Sequence, residues 1–190
     1  MSMAVMMACV CVGMSSCSDD DNNPNQTPSK KVSKLELTLD AQLSNDLKEV
    51  AVIDFHVQQT AGNTSNGETL HAHKTNTITV TANGVPATFQ LKCSNVSKQT
   101  NLTPKSKYQF NIAVKYNIKA TFEDGSTTDV RLTSYTEFKD ETTYEDVTDA
   151  DEIIREYLSA LKGLLEADFQ RTISVEMDKN GNVVGTVTQN

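Results

Sequence analysis

Fifteen residues, Tyr108 to Phe122, alternate between two kinds of side chain. Tyr108, Phe110, Ile112, Val114, Tyr116, Ile118 and Ala120 fall on one face. Gln109, Asn111, Ala113, Lys115, Asn117 and Lys119 fall on the other. A repeat of two is the period of a strand, whose successive side chains point to opposite faces. One face is apolar and the other wet, the pattern of an antiparallel sheet with solvent on one side. Such a face needs a second layer to cover it, so this segment commits the chain to a layered β architecture.

The same period recurs. Leu35, Leu37 and Leu39 alternate with charged and polar residues, as do Ala51, Ile53, Phe55 and Val57. A polar loop is expected over Gln59–Glu68 and a short strand over Thr69–His73. Ile78 and Val80 lead to Asn83-Gly84, then Val85, Ala87, Phe89, Leu91 and Cys93 alternate. Two such runs around Asn-Gly predict a hairpin, because both turn residues tolerate positive φ. A further turn at Glu123–Ser126 leads into Thr127–Phe138. The total is about seven strands in roughly 110 residues, the density of a β-sandwich.

The pattern changes after Lys139. Seven acidic and no basic residues lie between Asp140 and Glu152. Thr148 or Asp149 can cap a helix, with Asp151 or Glu152 completing a capping box. Ile154, Tyr157, Leu158, Leu161, Leu164, Leu165 and Phe169 recur every three or four residues, so an amphipathic helix is expected over 149–169. Gly163 weakens it by about 1 kcal/mol relative to Ala, which implies close packing there. Lys179-Asn180-Gly181-Asn182 predicts a second hairpin over 172–188. The expected organisation is a β-sandwich over 32–139, then an acidic linker, helix and terminal hairpin over 140–190.

The N-terminal residues read differently. Met3 to Met14 is uncharged and apolar, with twelve residues against the ~20 a membrane span needs. That is the length of a secretory leader, whose basic n-region is expected upstream of Met1. Ser15-Ser16-Cys17 follows, then Ser18-Asp19-Asp20-Asp21-Asn22-Asn23-Pro24-Asn25. Ser15-Ser16-Cys17 resembles the relaxed lipobox of Bacteroidota lipoproteins, although Met14 stands where the strict motif prefers Leu. Asp19–Asp21 resembles the signal that exports such proteins to the outer face of the outer membrane. The resemblance implies a signal peptide over 1–16, lipid on Cys17 and a polar tether over 17–31. More than one acyl chain gives stable attachment. The partner it implies is the membrane, through that lipid, with the domain at the cell surface. After cleavage Cys93 is the single thiol of the folded part, so the fold must stand on its core without a disulfide.

A second resemblance lies in Leu102-Thr103-Pro104-Lys105-Ser106-Lys107-Tyr108-Gln109-Phe110-Asn111-Ile112-Ala113-Val114. This stretch resembles the tyrosine corner of fibronectin type III modules, and is similar to stretches in fimbrillin-type pilus subunits of Bacteroidota. The resemblance implies an immunoglobulin- or fibronectin III-like antiparallel sandwich, with the Tyr108 hydroxyl tying the corner to the backbone. The chain has no Trp, whereas fibronectin modules favour one in the early core.

The net charge is −8, and no basic cluster occurs, which argues against nucleic acid as a partner. His71-Ala72-His73 places two imidazoles on one strand face. A metal site needs further ligands and His56 is the sole other histidine, so a surface strand is the expectation and a metal at His71 and His73 the alternative. No phosphate loop, nucleophile elbow or zinc helix occurs. No catalytic or cofactor-binding residue is assigned and no cofactor is expected. The reading is a non-enzymatic, surface-tethered interaction or anchor subunit of a pilus-type or glycan-uptake assembly, with a protein partner. The alternative is a small-ligand or glycan-binding lipoprotein using exposed Tyr116, Tyr135 or Tyr157; a small hydrolase is the third reading.

Overall fold

In the computed structural model, which describes residues 30–100, 103–134 and 137–190, the alternation becomes eleven strands. In chain order these are β1 (Val32–Leu43), β2 (Ala51–Ala61), β3 (Thr64–His71), β4 (Thr77–Ala82), β5 (Ala87–Lys98) and β6 (Tyr108–Phe122). Then come β7 (Thr127–Asp129), β8 (Arg131–Thr133), β9 (Phe138–Tyr144), β10 (Arg171–Met177) and β11 (Val183–Gln189). Helix α1 (Asn45–Val50) links β1 to β2, and α2 (Ala150–Asp168) links β9 to β10. Cys17, the expected leader before it and Tyr135 lie outside the described residues.

The strands form two sheets. The first runs β4-β1-β6, with β7 and β9 both pairing β6; the second runs β3-β2-β5-β10-β11-β8. Their inner faces share one core. Leu35, Leu37 and Leu39 of β1 and Phe110, Ile112 and Val114 of β6 supply one side. Ile53, Phe55 and Val57 of β2, Phe89 and Leu91 of β5, and Ile173 and Val175 of β10 supply the other. Full burial of a Leu, Ile or Phe contributes roughly 1.5–3 kcal/mol, so the alternation itself specifies which face turns inward.

The molecule is mainly β with two sheets, and it differs from the sequence-based expectation in several places. Among the described residues nine strands, β1 to β9, precede α2 where about seven were expected, and β8 pairs β11 in parallel, so the second sheet is not wholly antiparallel. The expected loop over Gln59–Glu68 is a hairpin. Ala61 pairs with Thr64 around Gly62-Asn63, and Gly62 has the φ of +56° that a tight turn of this kind requires. The Asn83-Gly84 hairpin does not form. β4 pairs β1 in the first sheet and β5 pairs β2 in the second, so the turn carries the chain across the sandwich. Pro86, which follows, has no N–H to donate to a hairpin ladder. The second Asn-Gly turn does close a hairpin, β10–β11, with Asp178 Oδ1 accepting the backbone N–H of Asn180 and Asn182.

The boundary expected at 139 falls inside β9, and the terminal hairpin joins the second sheet through β5. The acidic linker is therefore in part a strand. Helix α2 is capped by Asp149, whose carboxylate accepts the Glu152 N–H at 3.0 Å. Its apolar stripe closes one side of the sandwich. Tyr157 stacks on Phe110 of the first sheet at 4.6 Å, and Phe169, past the helix end, meets Phe55 of the second at 5.0 Å. The close packing expected at Gly163 is absent, since a Cβ there meets nothing within 4 Å.

Candidate functional site

Sheet edges are where a sandwich offers unpaired backbone, and proteins normally blunt them with charge, Pro or short length. β7 and β8 are three residues each, and β9 carries Lys139, Asp140 and Glu141. β3 and β4 are blunted far less. β4 reads Thr-Ile-Thr-Val-Thr-Ala, with no charge and no Pro, and pairs only β1. Its β-branched residues favour extended backbone, and Val80 and Ala82 pin it to the core. β3 spans eight residues, with Glu68 its one carboxylate, and pairs only β2. Leu70 anchors it, while Thr64 to Glu68 are exposed. The turn from His71 to Asn76 joins the two strands, with the His71 carbonyl accepting from Lys74 N and Thr75 N. One margin of the sandwich therefore carries both lightly protected edges.

The histidines lie beside this margin. His71 Nδ1 sits 2.8 Å from Asp54 Oδ1, and Asn95 Nδ2 donates to Asp54 Oδ2 at 3.2 Å. His73 is not on the same strand face: it lies past the end of β3, in the turn, its ring 6.2 Å from that of His71. Burial, helped by Lys74, holds its pKa below the usual histidine value. Among the described residues no group of three or more His, Cys, Asp or Glu is arranged to hold a metal.

His56 stands apart from this pair. Its Nδ1 contacts Thr69 Oγ1 at 3.1 Å, and Gln58 Nε2 donates to Ser65 Oγ at 2.6 Å. Both side chains lean over Gly67, where a Cβ would come within 2.7 Å of Gln58 Oε1 and 2.9 Å of the His56 ring. On the outer face of the second sheet, His56 pairs with Lys92, and Gln58 with Gln90. The β5–β10 ladder starts at Leu91 and Arg171. Beyond Leu91 the sheet loses a neighbour, and a cleft of about 330 Å³ opens, lined by His56, Gln58, Gln90, Lys92, Gln170 and Asn190.

Two of the three tyrosines expected to meet a ligand are in the core. Tyr116 is 5 % exposed and Tyr157 4 %. Tyr116 shares the inward face of β6 with Val114 and Ile118, and Tyr157 lies in the apolar stripe of α2. The Tyr157 hydroxyl donates to Asp140 Oδ2 at 2.9 Å; burial first, then that carboxylate, drive its pKa far above the usual tyrosine value. Tyr108, at the start of β6, accepts the Lys105 N–H at 3.0 Å, the tie that the corner resemblance implies. Cys93 faces α2 as a half-buried thiol, its pKa pushed up to about 11 by burial.

The cleft residues escaped the sequence reading. They come from β2, β5 and the two ends of the β10–β11 hairpin, and only the sheet order brings them together. In comparisons with known proteins, no family model, curated protein or solved structure matches the chain.

Proposed function

We propose that the chain is a lipid-tethered, non-enzymatic β-sandwich that serves as an interaction subunit of a cell-surface assembly of pilus or glycan-uptake type. The observation that carries this reading is the margin formed by β3 and β4, two unpaired edges with a single carboxylate between them. A partner segment can add as a strand there, gaining main-chain hydrogen bonds without displacing any of the protein's own. Lipid on Cys17 fixes one end, and the polar residues after it give reach. The immunoglobulin-like character belongs to the same proposal, and the Tyr108–Lys105 tie supports it at one corner.

Photo-crosslinking on whole cells tests both parts. A photoreactive residue at Asn66 or Thr79 is expected to give a discrete heavy adduct, and one at Glu141 on β9 none. The Cys17→Ala chain is expected to leave the cell surface and lose the adduct. Equal crosslinking from Glu141, or surface retention of Cys17→Ala, would overturn the reading.

A further inference from the structure

We infer that the cleft on the outer face of the second sheet binds a carboxylated sugar. This goes beyond the strand-addition reading and uses different residues. The protein carries a net charge of −8, and its larger grooves include carboxylates: Asp149 and Asp151 in one, Asp129 and Asp178 in another, Asp140 and Glu141 in a third. The cleft has none. Its ionisable side chains are Lys92 and His56, and every other polar side chain lining it is an amide. The nearest carboxylate along β2, Asp54, is held by His71 and Asn95. An anion entering here meets the Lys92 cation, and no side chain of the lining is of like charge.

The amides define the rest of the ligand. The side-chain amides of Gln90 and Gln170 make no hydrogen bond to a described residue, although the Gln170 carbonyl accepts from Arg171 Nη1 and Asn190 N, and Lys92 makes no ion pair. Gln58 and Asn190 are held in place, by Ser65 and by Thr172 respectively. A primary amide offers a donor and an acceptor side by side, which matches the adjacent hydroxyls of a sugar ring. The volume lies at the small end of the range for ligand pockets, enough for one ring. Gly67 contributes by having no side chain: a Cβ there would push His56 and Gln58, the wall of the cleft, out of their present positions. In the resulting arrangement Lys92 takes the carboxylate and the amides of Gln90, Gln170 and Gln58 take the hydroxyls.

Calorimetric titration of the full chain with sodium galacturonate and glucuronate tests this, with galactose and acetate as comparisons and an oligogalacturonate to separate a free sugar acid from a glycan residue. Saturable binding of a uronate is expected, about tenfold tighter than galactose or acetate, the worth of one charge-assisted contact. Lys92→Gln and Gln90→Ala, both on exposed residues, are each expected to weaken it by about tenfold with unchanged melting curves. Tighter binding of the oligomer identifies a glycan residue as the source of the acid, and equal binding a free one; either supports the site. No saturation by any uronate, equal binding of galactose or acetate, or full binding by Lys92→Gln would overturn the proposal.

Discussion

At the scale of the residue, Cys93 shows how a packing choice becomes a pH dependence. It lies opposite Phe55, just before a bulge that leaves Ser94 as an extra residue on β5. Its thiol donates weakly to the Asn95 carbonyl at 3.5 Å. Burial disfavours the thiolate and raises the pKa from 9.0 to about 11, opposed by the Asn95 backbone. A group whose folded pKa exceeds its unfolded one stabilises the fold fully below the unfolded value. That contribution is lost as the unfolded chain ionises and the folded one does not, between about pH 9 and about pH 11. The loss is at most about 2–3 kcal/mol. Urea unfolding of the native chain and of Cys93→Ala, compared between about pH 8 and about pH 10.5, is expected to show the steeper fall for the native chain. Tyr157 acts in the same direction at higher pH in both proteins and cancels in the difference. Parallel curves would mean that the thiol ionises as freely folded as unfolded.

At the scale of the element, α2 is the part whose face can be read most directly. Leu161 is fully buried against the sandwich, while Leu164, three residues on, is 43 % exposed. Leu161→Ala is expected to cost about 2–4 kcal/mol of unfolding free energy, and Leu164→Ala less than about 0.5 kcal/mol. Chemical denaturation of the two variants checks both figures, and equal costs would mean that the helix is rotated from the position described. The helix, its cap at Thr148 or Asp149 and the faces of β1, β2, β4, β5 and β6 were legible, because each follows from neighbours within one or two turns of chain. The same alternation that set Phe110, Ile112 and Val114 inward also placed Tyr116 among them, so its burial was readable in the pattern that nominated it. What was not legible is pairing at long range. Period two does not say which sheet a strand enters, so the Asn83-Gly84 turn resembled the Asn180-Gly181 turn although one crosses between sheets and the other closes a hairpin. The short helix α1 went unseen, although Ser44 caps it by accepting the Leu47 N–H and ties it to β6 through Gln109 O and Asn111 N. The cleft failed for the same reason as the turn: Gln58, Lys92 and Gln170 become neighbours only once β10 is placed against β5.

At the scale of the whole molecule, the last two strands decide whether the sandwich is one unit. β10 lies between β5 and β11, and β11 carries β8 on its far side. Ile173, Val175, Val183 and Val187 are buried in the shared core. A chain ending after Phe169 would turn the first half of β5 into an edge, leave β8 with no partner in the second sheet and open the core beside Phe89. Each of the four lost side chains contributes roughly 1.5–3 kcal/mol, against a total stability of about 5–15 kcal/mol for a domain. Such a truncated chain is expected to show no cooperative thermal transition by circular dichroism, whereas Gly181→Ala, which strains a φ of +81° but keeps every strand, is expected to unfold cooperatively with a loss of about 1 kcal/mol. A cooperative melt from the truncated chain would make the hairpin a separable limb, free to leave the sheet and pair with a partner. The described pairing predicts the opposite: the hairpin is held in the sheet interior, and strand addition is left to the opposite margin, where β3 and β4 each pair on one side only.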